Sequence, residues 1–371
     1  MGSDSPGSEK LVAARSVVPL FDPGRLQLAR EIRGWSQRDV AARAKITPAA
    51  ISQFEGSGAR PSASTLLSLA HTLGFPVTFF ARAAQDPPSD LAAFFRSLRS
   101  TPTKDRRRAE GWTRLLWVLT RALEGSVRLP DVRVPRLRTR LTATREDVER
   151  SAASVREEWQ IAAGPIENVV SELERHGVVA ARLPAVSEKV DAFSVAFPTR
   201  PVVILGMESV KDRGRFNAAH ELGHLVMHEP AHAGEKRVEE QAHWFAASFL
   251  MPADMIRREL PTRVDWRALL ELKSRWGVSI SALLMRARDL HRISSAEYVQ
   301  AMKYMSARAW RRIEPGDLGP AESPVLLGRA VELAQRNGVG LRELASHASL
   351  AEKDVRALIG TTVDARPSLD L

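Results

Sequence analysis

The stretch His220-Glu221-Leu222-Gly223-His224 spells H-E-x-x-H within a run, Arg215 to Met227, that contains no proline. Residues four apart lie on one face of a helix, so the two histidines can hold a single Zn²⁺ through their imidazole rings. The glutamate between them can face the water at the open metal position and act as its general base. The stretch therefore predicts a helix that carries a catalytic zinc site.

A second helical run, Val238 to Pro252, follows and offers the missing ligand. A catalytic zinc ion has three protein ligands and a water molecule, and two histidines with one carboxylate are a common set. Glu239 or Glu240 is therefore the expected third ligand. A fourth protein ligand would make the site structural, so we assign His228 a role behind the ligands or at the helix end. The other nearby histidines are expected to be surface or packing residues: His232 and His243.

Both runs together carry a family resemblance. The pattern R-F-x-x-A-H-E-L-G-H-L-x-x-H, followed by E-x-x-A-x-x-F-A-x-x-x-L-M-P, resembles the ImmA/IrrE-type zinc metallopeptidases over residues 178–252. The resemblance implies Zn²⁺ as cofactor, with His220, His224 and Glu239 as its ligands and Glu221 as the catalytic residue. Because related proteases act on helix-turn-helix repressors, it also implies cleavage of a repressor-type protein, in cis or in trans.

The segment from Gly24 to Phe80 has the capping signals of several short helices. Ser36 is placed as an N-cap with Asp39 three residues later, and Thr47 is an N-cap followed by Pro48 at the first helical position. Two short helices joined by a short turn form the helix-turn-helix geometry, whose second helix enters the major groove of DNA. The alternative for such a domain is a helical bundle used for dimerisation or protein contact.

The string S-Q-R-D-V-A-A-R-A-K-I-T-P-A-A-I-S-Q-F-E-G resembles the XRE/Cro-type repressors, and the resemblance covers about residues 24–81. By position it implies that Gln37 contacts the DNA backbone. It also places five recognition-helix residues toward base edges or backbone: Thr47, Ala49, Ala50, Ser52 and Gln53. Base reading is expected to depend on Gln53, on methyl contacts to thymine and on DNA shape, because alanines offer little hydrogen bonding. The implied partner is a double-stranded DNA operator bound by a homodimer.

Most of the positive charge lies in one stretch. The net charge is +10, and the residues from Arg96 to Arg150 contain 15 Arg or Lys against 7 Asp or Glu, an excess of +8. A basic segment of this density is attracted to phosphate backbones. A solvated, arginine-rich linker is the alternative, and both interpretations stay open.

Composition sets further bounds. The chain has 371 residues and no cysteine, which leaves room for several domains and excludes disulfides, thiolate metal sites and cysteine nucleophiles. Its polar N-terminus is unlike a signal peptide, and no apolar run approaches the ~20 residues of a membrane helix. We therefore expect a cytoplasmic protein without a membrane partner.

The expected fold class is α+β, mainly α with a small β-sheet. It combines an all-α helix-turn-helix domain, a zincin-like metallopeptidase domain and a C-terminal helical region. The predicted boundaries are a disordered tail at 1–20, the helix-turn-helix domain at 21–85, a basic helical linker at 86–145, the metallopeptidase domain at 146–313 and a C-terminal helical module at 314–371.

Two further patterns complete the fold prediction. Apolar strands at 178–183, 192–197 and 201–205 precede the metal helix, the last two joined as a hairpin, and the edge of such a sheet can bind an extended peptide. Residues 342–360 align without gaps on 38–56 with matching apolar positions. This match is compatible with a degenerate second helix-turn-helix, although we favour a generic helical hairpin of similar periodicity.

The sequence thus predicts a DNA-binding transcription regulator that carries a zinc metalloendopeptidase domain. A rival from another class is a transcription factor whose metallopeptidase-like domain only senses a ligand or metal, with no cleavage. A third alternative is a housekeeping peptidase with an incidental DNA anchor. No oxyanion-stabilising residue is identifiable, because Arg215 is as much a structural candidate and Tyr298 and Tyr304 have no motif context.

Overall fold

The computed structural model describes residues 6–81, 101–184, 192–206, 210–229 and 235–363. Within these ranges the chain is mainly helical and contains one three-stranded sheet, which confirms the predicted α+β class. The buried apolar residues form two clusters that meet at the sheet. We call them the first core and the second core.

In the described residues up to 81, five helices form the N-terminal domain, and side-chain caps set where several of them begin. Ser36 accepts a hydrogen bond from Asp39 N and completes a capping box, and Thr47 accepts one from Ala50 N. Lys45 ends the third helix in the left-handed conformation, with φ 56°, and so makes the tight turn between the two motif helices. The helices are α1 (Pro6–Val17), α2 (Pro23–Arg33), α3 (Gln37–Ala44), α4 (Pro48–Glu55) and α5 (Ala63–Leu73), with 3-10 turns at Val18–Leu20 and Val77–Phe80.

The structure differs from the disordered tail predicted for residues 1–20, because a helix begins at Pro6. Ala14 and Val17 of α1 are buried, and the helix packs against α5 and the 3-10 turn at Val77–Phe80. Val12 on the same helix stays 61% exposed. Apolar residues of this segment thus face both the core and solvent, so apolar periodicity does not predict a helix here. Tertiary packing stabilises the helix.

Helix α6 (Thr103–Glu124) lies within the stretch predicted as a linker but belongs to the first core. It packs against α2 at Gly111, where an added Cβ would lie 2.6 Å from Ile32 Cγ1. Trp112 is buried together with the apolar residues of the N-terminal domain. The predicted beginning of the linker, at residue 86, lies outside the described residues.

The chain after α6 is bound along the second domain rather than free. Leu137 N–H donates to Val226 O at 2.8 Å, and Thr139 N–H donates to Met227 O at 2.9 Å. Alternate amides that donate to one neighbouring segment fix an extended chain in place. The predicted linker at 86–145 is therefore divided, in its described part, between a core helix and a docked segment.

The sheet consists of β1 (Val179–Ala181), β2 (Phe193–Ala196) and β3 (Pro201–Ile204), in the order β1-β3-β2. β2 pairs antiparallel with β3 across the predicted hairpin turn, and β1 pairs parallel with β3. Successive side chains of a strand point to opposite faces. Val195 and Val202 accordingly join the first core, whereas Ala180 and Val203 join the second core. One small sheet thus contributes to both cores.

The second core is formed by helices on the other face of the sheet. α9 packs against α10, and α10 packs against α7, whose N-terminus has a capping box between Thr144 and Asp147. The described helices of this region are α7 (Arg145–Glu158), α8 (Val169–Arg175), α9 (Lys211–Met227), α10 (Lys236–Leu250), α11 (Ala253–Glu259), α12 (Trp266–Trp276), α13 (Ile280–Asp289) and α14 (Ser295–Ala307).

The C-terminal helices α15 (Leu326–Arg336), α16 (Leu341–His347) and α17 (Glu352–Val363) reproduce the backbone of the N-terminal motif. In that motif Lys45 has φ 56°, and the next residue, Ile46, donates its amide to Ala41 O at 3.0 Å. At the aligned positions Ser349 has φ 52°, and the following amide donates five residues back at 2.8 Å. The geometry is therefore that of a second helix-turn-helix unit, and the generic hairpin that we favoured from sequence describes it less well.

The second unit turns its recognition-helix equivalent, α17, toward protein. Arg33 at the end of α2 donates two hydrogen bonds to Asp354, Nη1 to Oδ1 at 2.8 Å and Nη2 to Oδ2 at 2.7 Å. Lys353 packs at the end of α5, where its Nζ occupies the space that a Cβ on Gly74 would take. The beginning of α17 is therefore docked on the N-terminal domain.

Candidate metal centre and DNA interface

Helices α9 and α10 bring the predicted metal-site residues together. His220, Glu221 and His224 lie on α9, and Glu239 lies in the first turn of α10. The two helices can pack closely because Gly223 has no side chain: a Cβ there would lie 3.0 Å from Phe245 Cδ1. The glycine of the motif therefore serves the helix contact that positions the carboxylate.

Three side-chain atoms converge between these helices. His220 Nε2 lies 3.0 Å from His224 Nε2 and 3.3 Å from Glu239 Oε2, and the distance from His224 Nε2 to Glu239 Oε2 is 3.7 Å. Ligand atoms around a tetrahedral zinc ion are about 3.3 Å apart, given metal–ligand bonds of roughly 2.0–2.2 Å. The group of His220, His224 and Glu239 therefore has the spacing and the donor chemistry of a zinc site.

A buried polar atom of Glu239 supports this fit. Its Oε1 is buried without a hydrogen-bond partner in the described part of the chain. Hydrogen bonds with His220 and His224 also hold the pKa of Glu239 far below its usual range, so this carboxylate stays ionised. Glu240, the other candidate from sequence, turns away and accepts from Arg237 Nη1 at 2.8 Å.

A chain of hydrogen bonds orients His224 from behind. Its Nε2 points toward the other ligands, so Nδ1–H is the donor to His228 Nδ1, 3.1 Å away. Burial lowers the pKa of His228 to about 4, so this ring is neutral and donates from Nε2 to Gln241 Oε1 at 3.1 Å. Gln241, itself fully buried, donates to Arg140 O at 3.0 Å. His228 therefore has the role behind the ligands that its spacing predicts.

The variant His228→Ala is expected to bind zinc about 10- to 100-fold more weakly. Removing the hydrogen-bond partner of a metal ligand typically weakens metal binding by this factor. His224 would lose the acceptor that fixes its tautomer. The measurement is a competition titration against a chelating dye, with the exposed His347→Ala on α16 as the control. Equal zinc affinity in His228→Ala and wild type would remove His228 from the metal centre.

The strand β2 adds a residue that the sequence did not indicate. Ser194 Oγ donates to Glu221 Oε2 at 2.7 Å, and Glu221 is buried. A lone serine in a short strand carries no motif signal, since only the strand register brings it against α9. The hydrogen bond fixes one carboxylate oxygen of the expected general base.

Other candidates from sequence lie in structural roles. Arg215 is buried, pairs with Glu322 and donates to Ile166 O at 2.6 Å, so it ties α9 to neighbouring segments. Tyr304 stacks on Trp266 with ring centroids 4.6 Å apart. His243 lies at the rim of the metal centre, where its ring centroid is 4.6 Å from that of His220. His232 lies outside the described residues.

Two protein families match the chain. The peptidase family described as IrrE N-terminal-like domain matches residues 173–288, which include the sheet, α9 and α10. The family described as helix-turn-helix matches residues 26–80. The chain joins an XRE-type helix-turn-helix domain to an IrrE/ImmA-like peptidase domain. Both resemblances found in the sequence are thereby confirmed. A search of curated proteins gives no match.

The recognition helix α4 of this DNA-binding domain presents most of the predicted contact residues. Thr47, Ala49, Ser52 and Gln53 are exposed, whereas Ala50 is half-buried and packs against the first core. The back of the motif is fixed by Glu55, which accepts from Arg30 Nε at 2.7 Å and from Gln37 Nε2 at 2.8 Å.

No helix in the described ranges is long and apolar enough to cross a membrane.

Substitutions in the motif should separate two kinds of DNA contact. Gln53→Ala is expected to reduce discrimination between DNA sites by about 1–3 kcal/mol, as loss of a bidentate base contact does. Gln37→Ala should instead weaken binding to all sequences, because a backbone contact carries no sequence information. Titrations of labelled duplexes with and without the operator measure both effects. Uniform weakening by Gln53→Ala would contradict its assignment as a base-reading residue.

Proposed function

We propose that the peptidase domain is a zinc-dependent endopeptidase that cleaves a repressor-type regulatory protein, in cis or in trans. The helix-turn-helix domain would bind a double-stranded DNA operator as a homodimer. The observation that supports the peptidase most strongly is the convergence of His220, His224 and Glu239 beside a buried Glu221. Three ligands leave an open metal position, which distinguishes a catalytic zinc site from a closed structural one.

The residues of the site divide the work between them. His220, His224 and Glu239 would hold the ion. When bound, zinc supplies Lewis acidity, which polarises a carbonyl and makes water acidic enough to lose a proton near neutral pH. Glu221 would accept that proton and later deliver it to the leaving amine. Ser194 would keep the carboxylate in position through its 2.7 Å hydrogen bond to Oε2.

The sheet offers a way to present the substrate. β2 is at the edge of the sheet described here, beside β3, and its Ser194 contacts Glu221. An edge strand has backbone groups that can pair with an extended peptide. A substrate strand added along β2 would lie close to Glu221, which favours cleavage within an extended segment of a protein.

A sensor function is the second candidate, and the shared sheet supports it. β2 faces the metal centre through Ser194, while Val195 of the same strand is packed in the first core, which also contains the apolar residues of the DNA-binding domain. A change at the metal site could therefore alter DNA binding without any cleavage. In that case zinc or a chelator would change operator affinity while all proteins stay intact.

The decisive experiment incubates the purified 371-residue chain, alone and with a purified helix-turn-helix repressor, in the presence of zinc or of a chelator. We expect a discrete cleavage product with zinc and none with the chelator. Mass spectrometry of both proteins distinguishes cleavage in trans from cleavage in cis. Zinc-loaded, folded protein that cleaves neither chain would contradict the peptidase and leave the sensor.

A further inference from the structure

The surface beside the DNA-contacting helices includes residues beyond the helix-turn-helix match at 26–80. Lys104 in the first turn of α6 lies over the turn that precedes α3, where its Cε is 3.3 Å from the place of a Cβ on Gly34. Asp39 in the first turn of α3 is near enough to interact with it. Hydrogen bonds from Ser36 are the main cause of the lowered pKa of Asp39, and the charges of Arg43 and Lys104 add to the effect.

Packing fixes the first turns of α6 rigidly against the DNA-binding domain. Arg108 Nε donates to Ile32 O at 3.1 Å, and Arg107 Nη1 lies 3.6 Å from Glu31 Oε1. One turn further on, the contact at Gly111 brings the backbones of α6 and α2 together. Lys104 and Arg107 are three residues apart and therefore neighbours on one face of the helix. Their charges are held in a set position relative to α3.

Both side chains can be reached by a ligand. Lys104 is exposed and has no hydrogen bond or ion pair among the described residues, and the Arg107 side chain is 52% exposed. In helix-turn-helix complexes the first motif helix, here α3, crosses the DNA backbone. A cation placed over the beginning of that helix lies where phosphates pass.

We propose that Lys104 and Arg107 extend the DNA interface by binding the phosphate backbone next to the α3 contact. The first turns of α6 would thus be a nucleic-acid-binding element outside the family match. The inference rests on DNA binding by the N-terminal domain and is independent of peptidase activity.

The rest of the basic stretch has a different position. Arg128 lies beyond the far end of α6 and faces Asp131, with its Nη2 3.4 Å from Oδ2. Arg138 belongs to the segment docked on the end of α9, and its Nη1 is 3.8 Å from Glu229 Oε1. The structure therefore separates the basic residues of this stretch. Some flank α3 of the DNA-binding domain, and others lie beyond the end of α6 or along the surface of the peptidase domain.

The test uses the full chain and a labelled double-stranded DNA of mixed sequence, because non-specific binding depends on phosphate contacts alone. Affinity is measured between about 50 and 200 mM salt, where each lost contact flattens the log–log salt slope by roughly 0.9. We expect Lys104→Ala to lose roughly one such contact, the double variant with Arg107→Ala roughly two, and Lys104→Arg none. Over this salt range one contact corresponds to roughly a threefold change in the ratio of mutant to wild-type affinity.

Arg128→Ala is the matched control, because it removes the same charge from the same stretch at a side chain that is 87% exposed. It should keep the wild-type slope. An unchanged slope in Lys104→Ala and in the double variant would overturn the proposal. So would an equal flattening by Arg128→Ala, which would indicate a diffuse field instead of a located contact. If the wild-type chain showed no DNA binding at all, the proposed function of the N-terminal domain would be contradicted instead.

Discussion

The Glu221→Gln variant is expected to keep its fold and its zinc and to hydrolyse substrate about 10²–10⁴ times more slowly than wild type. The amide has nearly the shape of the carboxylate, and it can still bond to Ser194, the partner at 2.7 Å from Oε2 in the native protein. It cannot take a proton from water. The loss should therefore appear in kcat, measured from the rate of appearance of the cleavage product under saturating substrate.

Glu240→Gln is the matched control for this prediction. It makes the same chemical change one residue after Glu239, at a carboxylate that is 47% exposed and pairs with Arg237. Its activity should equal that of wild type. Wild-type rates in Glu221→Gln with full zinc content would show that another group accepts the proton.

The largest effect on metal binding is expected from Glu239→Ala, with zinc affinity more than a hundredfold below wild type. Partners behind the ligands typically contribute 10- to 100-fold, and a direct ligand should contribute more. Removal of Glu239 leaves two histidine nitrogens 3.0 Å apart without the carboxylate that completes the site. His220→Ala and His224→Ala should have comparable effects.

Glu240→Ala again serves as the comparison and should bind about one zinc per chain as tightly as wild type. Competition titration gives the affinities, and the zinc-dependent rise of the melting temperature gives an independent readout, because a ligand that binds only the folded state stabilises it. The opposite order of the two glutamates would overturn the ligand assignment but not the existence of the metal site.

Local signals predicted the parts of the molecule that depend on local chemistry. The capping box at Ser36 satisfies backbone groups within its own helix, so sequence alone could place the helix start that it defines. The histidines of α9 could be paired because helix geometry fixes residues four apart. Glu239 needed the family resemblance, since spacing alone left it equal to Glu240.

Features made by distant parts of the chain were missed. Ser194 reaches Glu221 only because the strand register turns it toward α9, and α1 packs against α5, which lies far from it in sequence. The basic stretch looked uniform in sequence. In the structure Trp112 anchors its helical part in the first core, whereas its later arginines lie along the second domain. Such contacts join segments with no periodic relation, so no local pattern reports them.

The sheet with both faces covered affects how the chain can be divided. A fragment that ends before α6 would expose the apolar surface around Ile32, and a fragment that begins after α6 would uncover Val195 and Val202. Heating should therefore melt the two family regions together, because both contribute residues to the first core, although each is recognisable alone in sequence. Point substitutions, rather than excised halves, are the appropriate way to separate DNA binding from hydrolysis. An exchange of the DNA-binding domain for another one would also require changes on the sheet face that packs in the first core.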